Sequence, residues 1–142
     1  MAFDLHPRLA ADTSWIGDFP LCRLLLIKEA IGPWFILVPK IADLREIHHL
    51  GDADQQQLMR ESSLLSGIIE KETNPEKMNV AALGNMVPQL HIHHIARFTT
   101  DAAWPSPVWG NTPGNLRSDE EQSAEVDKWA AIFASHPEFT AA

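Results

Sequence analysis

Hydrophobic runs separated by turn signals predict a β-hairpin in the first third of the chain. Residues 21–27 form a dense apolar run that is too short for a helix and is typical of a buried strand. Residues 34–38 are aromatic and β-branched, which predicts a second strand, and the Ile-Gly-Pro sequence at 31–33 is a turn signal between the two. A short helix is predicted earlier, over residues 5–12, because Pro7 suits a first-turn position.

Two later segments carry the periodicity of amphipathic helices. Asp52, with Gln55 three residues on, resembles a capping box and predicts a long helix that ends at the Thr-Asn-Pro sequence 73–75. The apolar positions of this helix recur at helical spacing: Leu58, Met59, Leu65, Ile68 and Ile69. Ser118 with Glu121 forms a second capping-box pattern, which precedes a terminal helix with its own apolar stripe.

Two more strands and a proline-rich loop complete the predicted order of elements. Residues 43–50 predict a helical turn, and residues 77–83 and 89–97 predict strands. Residues 104–114 contain three prolines and two tryptophans, which indicates an extended loop anchored by aromatic side chains. The order of hairpin, helix, strands and terminal helix indicates the α+β class.

Composition restricts the class of protein and of partner. The formal charge is −8, from 19 acidic and 11 basic residues, which argues against DNA because a duplex binder needs a basic surface. Most of the net negative charge lies beyond Ser118, where six acidic residues and one basic residue give −5. A single cysteine, Cys22, excludes an internal disulfide and a cysteine-based zinc site. No apolar run reaches the roughly 18 residues that span a bilayer. No signal peptide is visible, so a cytoplasmic location is expected.

Three of the seven histidines fall within four residues of the last predicted strand. Successive side chains of a strand point to opposite faces, so Gln89, His91 and His93 are predicted to share one face. Leu90 and Ile92 would then face the core. They would fix the register, because a slip of one residue would bury the histidines instead.

Two imidazoles and an amide on one face suit chemistry at phosphorus. A neutral imidazole is a nucleophile near neutral pH, and a second one can bind oxygens or protonate a leaving group. Gln89 can donate a hydrogen bond to a phosphate oxygen. The turn at Gly84 and Asn85 can aim further N–H groups at an anion.

Two other interpretations of the histidines stay open. A His-x-His pair on a strand also binds zinc or iron, but such a site needs a third ligand. His48, His49 or a distant acid could supply it, whereas His94 faces the other way, where packing is its expected role. The histidines could also be hydrogen-bonded structural residues. The leading interpretation involves no metal and no cofactor.

The sequence NVAALGNMVPQLHIHHIAR at 79–97 resembles the signature of the histidine triad (HIT) family, and WFILVPK at 34–40 resembles an earlier family strand. The resemblance covers roughly residues 15–105 and looks like a bacterial branch described as diadenosine tetraphosphate hydrolase-like. It implies a HIT-like, mostly antiparallel sheet with helices packed on it, usually in a homodimer. We expect a HIT-like domain over 1–105. An extension with an acidic helix over 106–142 is expected to pack on the same domain.

The resemblance also implies hydrolysis or transfer of nucleotides at the α-phosphate, through a nucleotidyl-histidine intermediate and without an obligatory metal. By position, the nucleophile falls on His91, and His93 is implied to contact phosphate or to protonate the leaving group. Gln89 replaces the first histidine of the motif and cannot titrate. The family's Gly-Gln before the motif is Gly84-Asn85 here, which implies a phosphate-binding turn.

The nucleoside end of the implied site departs further from the family. The ribose-binding asparagine and the Gly-His that opens the next strand are replaced by Leu-Ile-Lys-Glu at 26–29 and Pro-Trp at 33–34. Asn79 is either a polar pocket residue or a strand-end residue, and Trp104 and Trp109 either face the site or pack the tail. These departures keep two other functions open. One is a nucleotide-binding regulatory module with weak or no turnover, and the other is a metal-dependent hydrolase.

Overall fold

A computed structural model describes residues 2–142 as one six-stranded antiparallel sheet with three helices, which confirms the predicted α+β class. The strand order is β4-β5-β3-β2-β1-β6. The elements in chain order are α1 (Pro7–Asp12), β1 (Thr13–Asp18), β2 (Cys22–Ile27), β3 (Trp34–Pro39), a 3-10 turn (Ile47–His49), α2 (Asp52–Thr73), β4 (Lys77–Ala81), β5 (Ile92–Arg97), α3 (Asp119–Phe133) and β6 (Thr140–Ala141). Within these residues, no helix combines the length and apolar character that crossing a bilayer requires.

The sheet separates two hydrophobic clusters, one on each face. On the helix face, side chains of β2 and β3 such as Leu24 and Phe35 pack against α2 and α3, where Trp129 and Phe133 are fully buried. On the opposite face, which we call the site face, Ile36 and the neighbouring strand residues pack against α1 and the loop that follows β5. Alternation along each strand therefore distributes the apolar side chains between two cores.

The predicted hairpin and both long helices are present. Strands β2 and β3 pair antiparallel, and α2 spans the predicted residues. The capping box at Ser118 and Glu121 is confirmed, since each of the two residues bonds the other's backbone N–H. The capping box predicted at Asp52 is wrong, because Gly51 is the N-cap and the Gln55 side chain donates to the Leu50 carbonyl instead.

Two strands, β1 and β6, were not predicted from the sequence. β1 carries a register shift between Trp15 and Gly17, which interrupts the alternation on which strand prediction depends. Its partner β6 is only two residues long. Gly17 allows the two strands to approach, because a Cβ atom there would collide with the Phe139 ring and the Thr140 carbonyl. Of the helical turn predicted over 43–50, only the 3-10 turn at Ile47–His49 is present.

A buried carboxylate joins α2 to the start of β2. Glu61 is fully buried, and its two oxygens accept hydrogen bonds from the backbone N–H groups of Leu21 and Cys22, each at 2.8 Å. The Gln57 side chain donates a third bond at 2.7 Å. Burial, together with the Glu61 carboxylate, raises the pKa of the Cys22 thiol well above its usual range. The carboxylate replaces strand partners that the β1–β2 turn lacks.

His94 lies on the helix face, behind the sheet. Its ring is fully buried, with Nδ1 3.0 Å from the Ile92 carbonyl and Nε2 2.7 Å from the Ser62 hydroxyl on α2. A carbonyl only accepts, so Nδ1 carries the proton and Nε2 accepts from the hydroxyl. Burial lowers the pKa of His94 to about 4, although the bond to the Ile92 carbonyl opposes the shift. His94 is therefore a neutral structural residue at pH 7.

Replacing Glu61 should reveal how much the carboxylate stabilises the turn. We expect Glu61→Ala to lower the free energy of unfolding by about 3 kcal/mol, because two buried N–H groups lose their acceptor. Urea unfolding measures the change. The control is Glu70→Ala, at an exposed position of the same helix, which should stay within about 0.5 kcal/mol of the wild type. Equal stability of the two variants would contradict this role for Glu61.

The free energy of unfolding should fall as the pH drops from about 6.5 to about 4. Over this range the unfolded chain protonates an ordinary histidine, whereas folded His94 stays neutral. Each such group adds a slope of about 1.4 kcal/mol per pH unit, and above pH 6.5 the effect vanishes. Urea titrations across this range should show a smaller slope for His94→Gln. The exposed control His49→Gln should keep the wild-type slope, and equal slopes in both variants would refute the assignment.

Candidate active site

The fold brings His91 and His93 together on the site face. Their ring centroids are 5.0 Å apart, and their side chains are only 7% and 6% exposed. His93 belongs to β5, opposite Ile36 of β3. His91 and Gln89 precede the strand, so the predicted strand alternation does not extend to them. The two histidines nevertheless reach the same face, as the sequence predicts.

A backbone carbonyl orients the His91 ring. Nδ1 of His91 lies 2.7 Å from the main-chain oxygen of Gln89. Because a carbonyl can only accept, Nδ1 carries the hydrogen and Nε2 of the neutral ring keeps a free lone pair. The nitrogen that can act as a nucleophile is therefore Nε2.

An indole orients the His93 ring in the opposite sense. The Trp34 Nε1–H group donates to Nδ1 of His93 at 3.0 Å, so Nδ1 is unprotonated and Nε2 of the neutral ring carries the hydrogen. The Trp109 ring packs edge-on against the same imidazole, with centroids 5.0 Å apart. Burial is the main reason that the pKa of His93 falls to about 3, and the positive charges that His91 and His94 can carry lower it further. At neutral pH His93 is therefore an uncharged hydrogen-bond donor.

A buried ion pair builds the loop that carries Trp109. The Arg97 guanidinium bonds both oxygens of Asp101, at 2.8 and 3.1 Å, and donates to the Ser106 carbonyl at 2.7 Å. The bond from Arg97 is the main reason that the pKa of Asp101 falls to about 2. This pair was not predicted from the sequence, although the Arg-x-x-x-Asp spacing at a strand end is visible there. The loop predicted to be anchored by aromatic residues is thus also anchored by charge.

Asn79 is part of the same loop support. Its side-chain oxygen accepts a hydrogen bond from Arg97 at 2.9 Å, on the strand that borders β5. Trp104, 36% exposed, lies over the Arg97 guanidinium with 5.8 Å to the ring centroid. Among residues 2–142, neither side chain forms a hydrogen bond or a ring pair with His91 or His93, and both support the loop through Arg97.

The turn before the histidines lines the same small crevice as His91. Gly84 has φ +74°, a left-handed conformation that glycine adopts without strain. Together with Arg45, it lines a crevice of about 30 Å³ that ends at His91. Asn85 is exposed on the same turn.

The Gln89 side chain is hydrogen-bonded to the N-terminal segment and to neither histidine. Its amide oxygen accepts from the His6 N–H at 2.8 Å, and its amide nitrogen donates to the Asp4 carbonyl at 2.9 Å. The backbone carbonyl of Gln89 orients His91, while the side chain bonds the N-terminal segment. The sequence placed this residue in the site but could not reveal a partner more than 80 positions away.

A cavity of about 340 Å³ adjoins the indole that orients His93. It is lined by Trp34, by Ile27 and Lys28 at the end of β2, and by the exposed Leu116. Glu29, also at its wall, is bonded by the Thr112 hydroxyl. Among residues 2–142, no three or more His, Cys, Asp or Glu side chains are grouped to hold a metal ion.

Comparisons with known proteins place these features in a family. The sequence profile described as HIT domain matches residues 8–100. The crystal structure of a histidine triad protein from Marinobacter aquaeolei VT8 is 47% identical, with a TM-score of 0.89 over 95% of this chain and 98% of that one. A histidine triad protein from Bradyrhizobium japonicum is 45% identical, with a TM-score of 0.87 and the same coverage of both chains.

More distant structures share the fold alone. The NitFhit protein of C. elegans is 18% identical, and the match covers 92% of this chain but 30% of that one, with a TM-score of 0.67. No functionally curated protein matches the sequence. The profile covers well over half of the chain, and two solved histidine triad proteins are more than 40% identical over nearly all of it. The chain therefore belongs to the HIT domain family.

Proposed function

We propose that the protein is a HIT-type nucleotide hydrolase or nucleotidyl transferase that acts at the α-phosphate of dinucleoside polyphosphates or related nucleotides. Membership of the HIT family supports a nucleotide-binding function of the HIT type, and the family consists largely of hydrolases and transferases of nucleotides. The observation that carries the proposal is the hydrogen bond from Nδ1 of His91 to the Gln89 carbonyl, because it leaves Nε2 free to attack.

In the proposed reaction, Nε2 of His91 attacks the α-phosphorus. A P–N bond forms, the bond from phosphorus to the leaving group breaks, and its electron pair departs with that group. The Gln89 carbonyl, which accepts from Nδ1–H, stabilises the positive charge that the ring then carries. Water next attacks the phosphorus and breaks the P–N bond, which releases a nucleoside monophosphate and restores neutral His91.

We assign His93 the role of a neutral hydrogen-bond donor to a phosphate oxygen. The resemblance left two roles open, phosphate contact and protonation of the leaving group. A pKa near 3 supports the first, because an imidazole that stays uncharged at pH 7 holds no acidic proton to give. Trp34, at the position where the family has a histidine, fixes the proton on Nε2. Trp34 is then a positioning residue.

The remaining binding assignments follow the two cavities near the histidines. We assign the backbone of the turn at Gly84 and Asn85 to the phosphate, because Gly84 lines the crevice beside His91. The nucleoside occupies the cavity beside Trp34, near Lys28. Asn79 supports the site from outside, through Arg97.

We also propose that the protein is a homodimer. β4 is an edge strand of the sheet, so its outer backbone groups have no strand partner within residues 2–142. Val80 on this strand and Leu83 and Met86 beyond it are 49%, 47% and 74% exposed. An apolar group beside an open sheet edge suits a protein interface.

A nucleotide-binding regulatory module is the second candidate function. The Gln89 substitution favours it, because an amide that bonds the N-terminal segment supplies no titratable group at the first position of the motif. The two functions differ in turnover, which a single assay measures.

Removing the proposed nucleophile should abolish turnover. We expect His91→Ala to lower kcat at least about 1,000-fold on a panel of dinucleoside polyphosphates and other nucleotides, because it removes the nitrogen that forms the covalent intermediate. Chromatography of the products measures turnover, and the mass of protein quenched in denaturant at alkaline pH, where a P–N bond to histidine survives, measures the His91 adduct. The exposed control His48→Ala should retain wild-type turnover. Full turnover by His91→Ala would refute the assignment, and binding without turnover by the wild type would favour the regulatory module.

Removing the indole donor should allow the His93 proton to occupy either ring nitrogen. In Trp34→Phe the ring stays apolar, but Nδ1 of His93 loses its hydrogen bond, so the proton is no longer fixed on Nε2. We expect kcat/KM to fall about tenfold, the effect of weakening one hydrogen bond to phosphate. Nitrogen-15 NMR of the imidazoles should show the tautomer change directly. Trp15→Phe, at a half-exposed indole on β1, is the matched control, and an unchanged His93 spectrum in Trp34→Phe would contradict the proposal.

A further inference from the structure

Gln89 fastens the N-terminal segment, residues 2–6, beside the histidines. Both ends of its amide are used, since one accepts from the His6 N–H and the other donates to the Asp4 carbonyl. Nδ1 of His6 in turn accepts from the Arg8 N–H at the start of α1. One side chain therefore connects the loop that carries His91 to a segment at the other end of the sequence.

The fastened segment forms one wall of a cavity of about 530 Å³. Asp4 and His6 belong to this wall. The rest of the lining includes Asp43 and Arg45, in the turn after β3, and Gln89. The volume falls in the range of roughly 300–1,000 Å³ that small-molecule sites occupy. Arg45 and Gln89 also line the crevice that ends at His91, so the cavity adjoins the proposed nucleophile.

The cavity lies at the opposite end of the histidine pair from the proposed nucleoside pocket. Trp34 lines that pocket and pairs with Ile95, near the end of β5, whereas Gln89 precedes the start of β5. A nucleotide with its nucleoside beside Trp34 and its α-phosphate at His91 would therefore direct the group beyond the phosphate towards Gln89.

We propose that this cavity is the subsite for the leaving group, and that Gln89 is the positioning residue that shapes it by holding the N-terminal segment. The inference rests on the proposed function and deepens it, because it assigns the replaced first position of the motif a role in choosing the substrate. Gln89 acts through the segment and does not touch the phosphate.

The charges of the cavity define the class of leaving group. Its lining offers one guanidinium, Arg45, against the carboxylates of Asp4 and Asp43, and none of the three forms an ion pair with another of the described residues. A chain of further phosphates would meet more negative than positive charge there. The subsite therefore takes an uncharged or amine-bearing organic group, and the atom through which that group leaves phosphorus takes its proton from water, since His93 gives none. This favours related nucleotides over dinucleoside polyphosphates as substrates.

Calorimetry in a His91→Ala background tests the subsite without turnover. The probes are adenosine monophosphate, its 6-aminohexyl phosphate ester and diadenosine tetraphosphate. We expect the ester to bind about tenfold more tightly than the monophosphate, the increment of one or two good polar contacts, and the tetraphosphate to show no such gain. Adding Asp4→Asn and Asp43→Asn should reduce the gain of the amine-bearing ester. A gain for the tetraphosphate instead of the ester would overturn the assigned class.

A double-variant cycle tests the positioning role. Gln89→Ala and deletion of residues 2–5 should each remove most of the tenfold gain, and the two changes together should remove no more than either alone. The matched control Gln56→Ala, at an exposed position of α2, should keep the gain. In Gln89→Ala, hydrogen exchange of the His6 backbone N–H should become faster. This measurement tests the bond between Gln89 and the segment without any nucleotide.

The outcomes separate this inference from the function on which it rests. If no nucleotide binds, the proposed function fails. If the monophosphate binds but Gln89→Ala leaves the gain intact, the subsite inference alone is overturned. Additive losses in the double variant would mean that Gln89 contacts the ligand directly, which also contradicts the positioning role.

Discussion

The antiparallel pairing of β5 with β3 decides which histidine reaches which face. Ile36 lies opposite His93 and Phe35 opposite His94, so each imidazole joins the cluster on its own side of the sheet. A shift of one residue would put His93 into the packed helix face and His94 onto the site face. The hydrogen bond from Ser62 on α2 to the His94 ring opposes that shift, because a shifted strand would break it. His94 therefore stabilises the β3–β5 register that places His93 on the site face.

Within that register, two hydrogen bonds of opposite direction give the same side-chain type two different properties. His91 donates from Nδ1 to a carbonyl and exposes a lone pair, whereas His93 accepts at Nδ1 from Trp34 and presents an N–H group. Neither property follows from the spacing of the histidines. They follow from which group each Nδ1 meets, a backbone carbonyl two residues earlier or an indole 59 positions away.

The sequence therefore predicted the local part of the site and missed the long-range part. Apolar alternation around Leu90 and Ile92 was enough to place His91 and His93 on one face, even though the strand begins only at Ile92. The Gln89 side chain was assigned to phosphate because its partners, near the N-terminus, have no signature in the histidine motif.

The same reason explains what was missed in the fold. In the sequence, Glu61 looks like any polar position of an amphipathic helix. Its burial could not be predicted, because its partners are backbone N–H groups in a distant turn. β1 was missed because its register shift breaks the two-residue period. Elements with local periodicity were predictable, and contacts made by single polar side chains across the fold were not.

The distribution of charge reconciles an acidic protein with the binding of an anionic nucleotide. The acidic first turn of α3 begins its helix in a capping box and is exposed, whereas the histidine pair is nearly buried. In a buried site, neutral donors aimed at a phosphate oxygen are stronger than they are in water, and they hold the anion without a fixed positive charge. The depressed pKa of His93 keeps its imidazole neutral, so its Nε2 presents an N–H donor beside His91 without adding a positive charge to the buried pair.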